Sequence, residues 1–158
     1  MSLEKGVNSY ATVLEGDIYF DSRLSSDSWT SASSTTKSNS LITASTHIDH
    51  MGFSGTAVGT DMAFPRNGIY FDKKLGKEMP MDPVPDSVIM ATFELAIHKI
   101  SNPNTGTTEV ALNKIVVDVI ELEMAEGAKP APAVPTAVYD LLKPFKAKNG
   151  AGLWWRAN

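Results

Sequence analysis

Cysteine is absent from this chain of 158 residues, which excludes disulfides, zinc–thiolate sites and thiol nucleophiles. Histidine is scarce, with three residues, so the side chains that most often act as general bases are few. No apolar run approaches the length of a membrane span, and the N-terminus lacks the basic-then-apolar order of a signal peptide. We therefore expect one soluble domain with no membrane contact, no cofactor and no enzymatic activity.

A basic excess is also missing. The formal net charge is −4 and the isoelectric point is near 5.3. Proteins that bind nucleic acids mainly through the phosphates usually carry an excess of basic residues on one face or along one element. The sequence itself displays no basic groove with interleaved aromatic residues, the arrangement that single-strand binders use.

The apolar residues that are present recur at helical spacing in several segments separated by glycine and proline. We predict a mostly α fold: a small bundle of three to four helices with a long inter-helix loop, one β-hairpin or extended β segment, and an extended C-terminal arm. The predicted bounds are helices at about 12–25, 35–51, 86–101 and 136–143, a β segment at about 110–124, a single domain over 1–145 and an arm over 146–158.

The first helix should begin at Thr12, because Thr12 and Glu15 form a capping-box pattern in which each side chain satisfies a free backbone N–H. Gly16 costs this helix on the order of 1 kcal/mol relative to alanine. A polar stretch rich in Ser and Thr follows, and we expect Trp29 to anchor it through a buried indole. The predicted inward face of the first helix consists of Val13, Leu14, Ile18, Tyr19 and Leu24.

The helix at 86–101 gives the strongest pattern and should be buried nearly all round. Its second apolar face, made by Met90, Phe93 and Ile97, suggests a central helix or one shared with a neighbouring subunit. We therefore name these three residues as candidates for a subunit interface.

The connection Phe53–Pro85 is unusually long for a small domain, and such connections are usually functional or packed through their own apolar side chains. Phe64, Arg66 and Tyr70 of this connection are further interface candidates. Arg66 follows a proline and precedes an Asn-Gly turn. It either braces that turn or pairs with a carboxylate across a subunit boundary.

Two histidine patterns are candidates for chemistry. His47 and His50 share a helix face at a spacing that could chelate a metal, but no third ligand is near in sequence, so we predict no metal site. Glu94 and His98, four residues apart, are expected to form a simple side-chain pair rather than an acid–base couple.

The C-terminal arm carries Leu153, Trp154, Trp155 and Arg156. Tryptophan and arginine are enriched at interface hot spots. The arm either docks on its own domain or binds a partner. After Asp140 the tail contains lysines and one arginine but no acidic residue. Its charge is therefore opposite to that of the acidic remainder of the chain, and it could bind an acidic partner.

An ordered series of short motifs resembles a known family. The motifs include Ser9-Tyr10-Ala11-Thr12, Asp17-Ile18-Tyr19-Phe20, Phe64-Pro65-Arg66-Asn67-Gly68, Ala91-Thr92-Phe93-Glu94-Leu95-Ala96 and Ala137-Val138-Tyr139-Asp140-Leu141-Leu142-Lys143-Pro144. Over about residues 9–145 the chain is similar to the tailed-phage family labelled DnaT-like single-stranded-DNA-binding protein. Members of that family resemble, in size and helical layout, the head–tail adaptor (connector or head-completion) proteins of phages.

The resemblance to adaptors implies a structural virion protein located in the neck between head and tail and assembled in the host cytoplasm. Such a subunit would form a homo-oligomeric ring, commonly of twelve copies, with the portal protein above and a tail or neck protein below. DNA would pass through its channel without sequence-specific binding, and the arm at Leu153–Arg156 would dock on the portal. The alternative is a single-stranded-DNA-binding accessory protein of phage replication.

Overall fold

The fold is described by a computed structural model that covers residues 2–103, 114–117, 120–123 and 132–146 of the chain. The helices in this part of the chain are α1 (Val13–Asp21), α2 (Asp27–Thr30), α3 (Ser34–Asp49), α4 (Asp86–Ser101) and α5 (Thr136–Leu142), with a 3-10 turn at Lys143–Phe145. The strands are β1 (Thr56–Ala57), β2 (Arg66–Asn67), β3 (Ile69–Asp72), β4 (Lys77–Pro80), β5 (Lys114–Val117) and β6 (Ile120–Glu123). The predicted mostly α class is confirmed.

The N-terminal end of α1 is fixed by the predicted capping box. The Thr12 hydroxyl accepts from the Glu15 backbone N–H at 3.2 Å, and the Glu15 carboxylate accepts from the Thr12 N–H at 2.8 Å. The predicted length was wrong, because α1 ends at Asp21 rather than near residue 25. The polar stretch that follows contains the short helix α2, and the indole of Trp29 within it is buried as predicted.

The centre of the fold is the packing of α4 against α3 on one side and α5 on the other. Of the residues of α4, only Asp86, Met90 and Ser101 are exposed, which confirms a helix buried nearly all round. The α3 face turned to α4 carries buried residues at helical spacing. They are Ser40, Leu41, Ala44, Ser45 and Ile48.

The predicted inward face of α1 was wrong in part. Leu14 and Ile18 are 69% and 67% exposed, and Leu24, beyond the helix end, is 97% exposed. The buried residues of α1 are instead Gly16 and Phe20. The reason is a tertiary contact, because the indole of Trp29 lies against Gly16 and 4.9 Å from the Phe20 ring, and so decides which face turns inward.

The long connection between α3 and α4 is non-helical, as predicted, and contains two antiparallel two-stranded sheets that the sequence analysis did not resolve. In the first, β1 pairs with β2; in the second, Ile69 to Asp72 of β3 pair with Pro80 to Lys77 of β4. The connection packs through its own aromatic residues. Phe53 and Phe64 are buried and meet edge to face at 4.8 Å.

The predicted β segment at 110–124 contains a third antiparallel pair, in which Lys114 of β5 lies opposite Glu123 of β6. The C-terminal helix α5 and its 3-10 turn match the predicted helix at 136–143. Phe145 of the turn is fully buried. The arm residues Leu153, Trp154, Trp155 and Arg156 lie outside the described residues.

Candidate functional site

A groove of about 620 Å³ lies between the β3–β4 hairpin and the turn that follows α5. One wall comes from β3 and its turn, and the other comes from the end of α5 and the residues after it. These walls are more than sixty residues apart in sequence, so only the fold creates the groove. The lining residues are Ser54, Ile69, Tyr70, Phe71, Lys73, Glu78, Asp140, Lys143, Pro144 and Lys146.

The hairpin wall presents two exposed apolar side chains followed by a basic one. Side chains two positions apart in a strand lie on the same face. Ile69 and Phe71 are accordingly both exposed, at 62% and 55%, and Lys73 follows at the next position of this series. The turn itself is held by the Asp72 carboxylate, which accepts the backbone N–H groups of Lys74 at 2.8 Å and Leu75 at 3.0 Å.

The opposite wall is tied to the connection through main-chain bonds. The Ser54 N–H and hydroxyl both donate to the Phe145 carbonyl, at 2.9 and 3.1 Å. The Phe145 ring packs at 4.6 Å from Tyr70 and 5.7 Å from Phe64. An aromatic cluster therefore fixes the hairpin and the C-terminal turn to each other beneath the groove.

Arg66 braces this arrangement from the side. Its guanidinium donates to the carbonyls of Ser54 at 2.8 Å, Ala63 at 3.0 Å and Gly55 at 2.6 Å. A planar fork with several donors suits such a set of diverging carbonyls better than an ammonium does. Arg66 thus braces the segment around Ser54, rather than the Asn67-Gly68 turn that the sequence analysis considered.

The charges in the groove are mixed, with a small basic excess. Lys73, Lys143 and Lys146 face two carboxylates, those of Glu78 and Asp140. Among the described residues neither Lys73 nor Lys143 has an ion-pair partner. The groove is therefore locally basic in a chain whose net charge is −4.

The remaining lysine, Lys146, and the half-buried Tyr70 each interact with neighbouring groups. The Lys146 ammonium lies 4.7 Å from the centre of the Tyr139 ring and makes a cation–π contact with it. Burial raises the pKa of Tyr70, and the carboxylates of Asp72 and Asp86 raise it further. The Tyr70 hydroxyl is therefore neutral at physiological pH and can donate a hydrogen bond.

The interface candidates lie in several different places. Phe64 and Phe93 are 2% and 3% exposed in the core, so their burial is explained without a neighbouring subunit. Ile97 is half-buried against the core, and Met90 is 39% exposed beside α5. Only Tyr70 of this set lines the groove.

Sequence reasoning missed Phe71, Lys73, Lys143 and Lys146 as one site. A usable signal was present in each half. The alternation Ile69, Phe71, Lys73 indicates one strand face, and the tail after Asp140 is basic. Nothing in the sequence indicated that the two halves meet, because the contacts that join them are made by Phe145 and Ser54.

The two histidine patterns give no comparable site. His47 and His50 line a shallow surface depression on α3, and the pKa of His47 is lowered by desolvation and then by the nearby Lys99 and His50. The predicted Glu94–His98 pair was wrong. Glu94 accepts from the Tyr19 hydroxyl at 2.7 Å and from Arg23 at 2.8 Å, because α1 and its end lie over this part of α4.

No group of three or more potential metal ligands occurs within the described ranges. In the same part of the chain, each helix is too short or too polar to cross a membrane.

Comparison with known proteins gives one match. A family model described as "Putative DnaT-like ssDNA binding protein" matches residues 2–157. No curated protein and no solved structure matches the chain.

This match corrects the main functional prediction. The prediction of a head–tail adaptor ring in the virion neck was wrong, because the family model that matches the chain is described as a single-stranded-DNA-binding protein. The portal and tail partners, and a channel through which DNA slides without binding, are overturned by the same finding. The match supports the alternative that the sequence analysis carried.

Proposed function

We propose that this chain, which belongs to the family of DnaT-like single-stranded-DNA-binding proteins, binds single-stranded DNA as an accessory factor of replication. The observation that carries the proposal is the match of the family model over residues 2–157. The proposal involves binding alone, with no catalytic step.

The charge of the protein limits how this binding works. A chain with a net charge of −4 repels the DNA backbone overall, so attraction has to come from a local group of basic side chains. The groove between the β3–β4 hairpin and the C-terminal turn supplies three lysines beside exposed aromatic surface. Lysines for the phosphates and aromatic rings for the bases are the two elements that non-specific single-strand binders combine.

A small number of phosphate contacts predicts a modest dependence on salt. For single strands the logarithm of the binding constant falls with the logarithm of the salt concentration, with a slope near −0.7 for each phosphate neutralised. Three lysines therefore predict a slope of about −2, and a loss of affinity of about fifteen-fold between about 50 mM and about 200 mM salt.

The test is fluorescence anisotropy with a labelled dT oligonucleotide of about 16 nucleotides, the upper end of the site sizes of single-strand-binding folds. The same titration with a duplex of equal length is the control. We expect saturable binding of the single strand, weaker binding of the duplex and a salt slope near −2. Absence of single-strand binding at low salt, or equal affinity for the duplex, would overturn the proposal.

A further inference from the structure

The side chains on the hairpin wall of the groove between the hairpin and the C-terminal turn follow a definite sequence. Ile69 and Phe71 place an apolar side chain and an aromatic ring on the exposed face of β3, and the ammonium group of Lys73 follows in the turn directly after the strand. Successive positions on one strand face are about 7 Å apart. A base lying on the Phe71 ring would therefore leave its phosphate within reach of the flexible Lys73 side chain.

We infer that this groove is the single-strand contact site, with Phe71 stacking a base and Lys73 and Lys143 holding the phosphates on either side. The inference rests on the proposed function. Phe71 is 55% exposed although it is a large apolar ring, and it stands at the mouth of the groove rather than in the core. Both lysines are exposed and have no ion-pair partner in the described part of the chain.

The acidic residues of the groove limit where the phosphates of the bound strand can lie. Glu78 lies directly opposite Phe71 in the β3–β4 register, so its carboxylate shares the face of the ring. Asp140 lies on α5, one turn before Lys143. Phosphates are repelled from both carboxylates, so the phosphates of the bound strand lie near the Lys73 and Lys143 ammonium groups while the base covers Phe71. Because every base has a π face, the binding is tolerant of sequence.

Point variants test this placement. Phe71→Leu keeps an apolar side chain but removes the ring, and we expect the affinity for the dT oligonucleotide to fall by about five-fold or more. Lys73→Gln should weaken binding and make the salt slope less steep by about 0.7. Lys74→Gln is the matched control, because Lys74 is the adjacent lysine, is also exposed and does not line the groove.

A variant that is expected to bind DNA more tightly tests the inference in a way that damage to the fold cannot imitate. Asp140→Asn removes a carboxylate that faces the lysines, so binding should become about two- to five-fold tighter. Asp140 is exposed and has no hydrogen-bond or ion-pair partner among the described residues, so the substitution costs no contact there. A loss of affinity in this variant, or no change, contradicts the inference.

Photocrosslinking locates the site without any substitution. A 5-iodouracil oligonucleotide irradiated with the wild-type protein should attach to the peptide that contains Phe71, as mapped by mass spectrometry. Attachment to α1 or α3 instead would place the site elsewhere. If the wild type binds single strands and Phe71→Leu and Lys73→Gln match Lys74→Gln, the inference fails and the proposed function stands. If the wild type binds no single strand, the proposed function itself fails.

Discussion

Replacement of Gly16 by alanine tests the contact that orients α1. In an exposed helix this change stabilises by about 1 kcal/mol, because alanine has the higher helix propensity. Here an added Cβ would lie 2.6 Å from Cζ2 and 3.0 Å from Cη2 of Trp29. Real Cβ atoms do not approach a ring this closely, so either α1 or the indole has to move.

The indole of Trp29 has little room to move. It is 1% exposed, it packs at 4.9 Å on Phe20, and its Nε1–H donates to the Asp17 carboxylate at 2.8 Å. Overpacking of this kind costs about 1–3 kcal/mol. After the propensity gain is subtracted, we expect a net destabilisation of up to about 2 kcal/mol, which lowers the melting temperature of a chain of this size by up to about 8 °C.

Thermal unfolding followed by circular dichroism measures the effect. Gly52→Ala is the control, because an added Cβ there meets nothing within 4 Å, and it should leave the melting temperature unchanged or raise it. The cost of Gly16→Ala should shrink or change sign when Trp29 is replaced by phenylalanine, since the two sites are in contact. A Gly16→Ala variant that melts above the wild type would refute this account of why α1 turns Gly16 inward.

Three further predictions concern the polar contacts that hold the connection and α1. Arg66→Lys removes most of the donors to the carbonyls around Ser54, so it should destabilise the protein by about 2–4 kcal/mol in a denaturant titration and also weaken binding in the groove. Tyr10→Phe leaves the Phe64 N–H without its acceptor at 3.2 Å and should cost about 1–3 kcal/mol by the same measurement. The hydrogen bond from Lys37 is the main cause that holds the pKa of Asp17 below its ordinary value of 3.8. The ionised Asp17 carboxylate therefore stabilises the folded state above pH 3.8, and this contribution is lost as the pH falls below that value. Asp17→Asn should reduce the loss of stability in acid. An acid titration identical to that of the wild type would contradict the last prediction.

The sequence predicted the helices well where local signals decide them. The capping box at Thr12, the apolar period of α4 and the proline that begins α5 each act within a few residues, and the helices begin where these signals place them. Local signals did not fix which side of α1 is buried. Leu14 and Ile18 are more apolar than Gly16, yet they are exposed because a distant indole occupies the space next to Gly16.

The candidate site shows the same division. The sequence alone determined its ingredients: a connection rich in aromatic residues, the alternating residues Ile69, Phe71 and Lys73, and a basic segment after Asp140. Only the tertiary structure decided that these ingredients form one groove, through the Phe145 ring on Tyr70 and the bonds from Ser54. Periodicity and capping act between near neighbours in the chain, whereas packing joins segments about ninety residues apart. A groove built from two such segments therefore has no signature in either segment by itself.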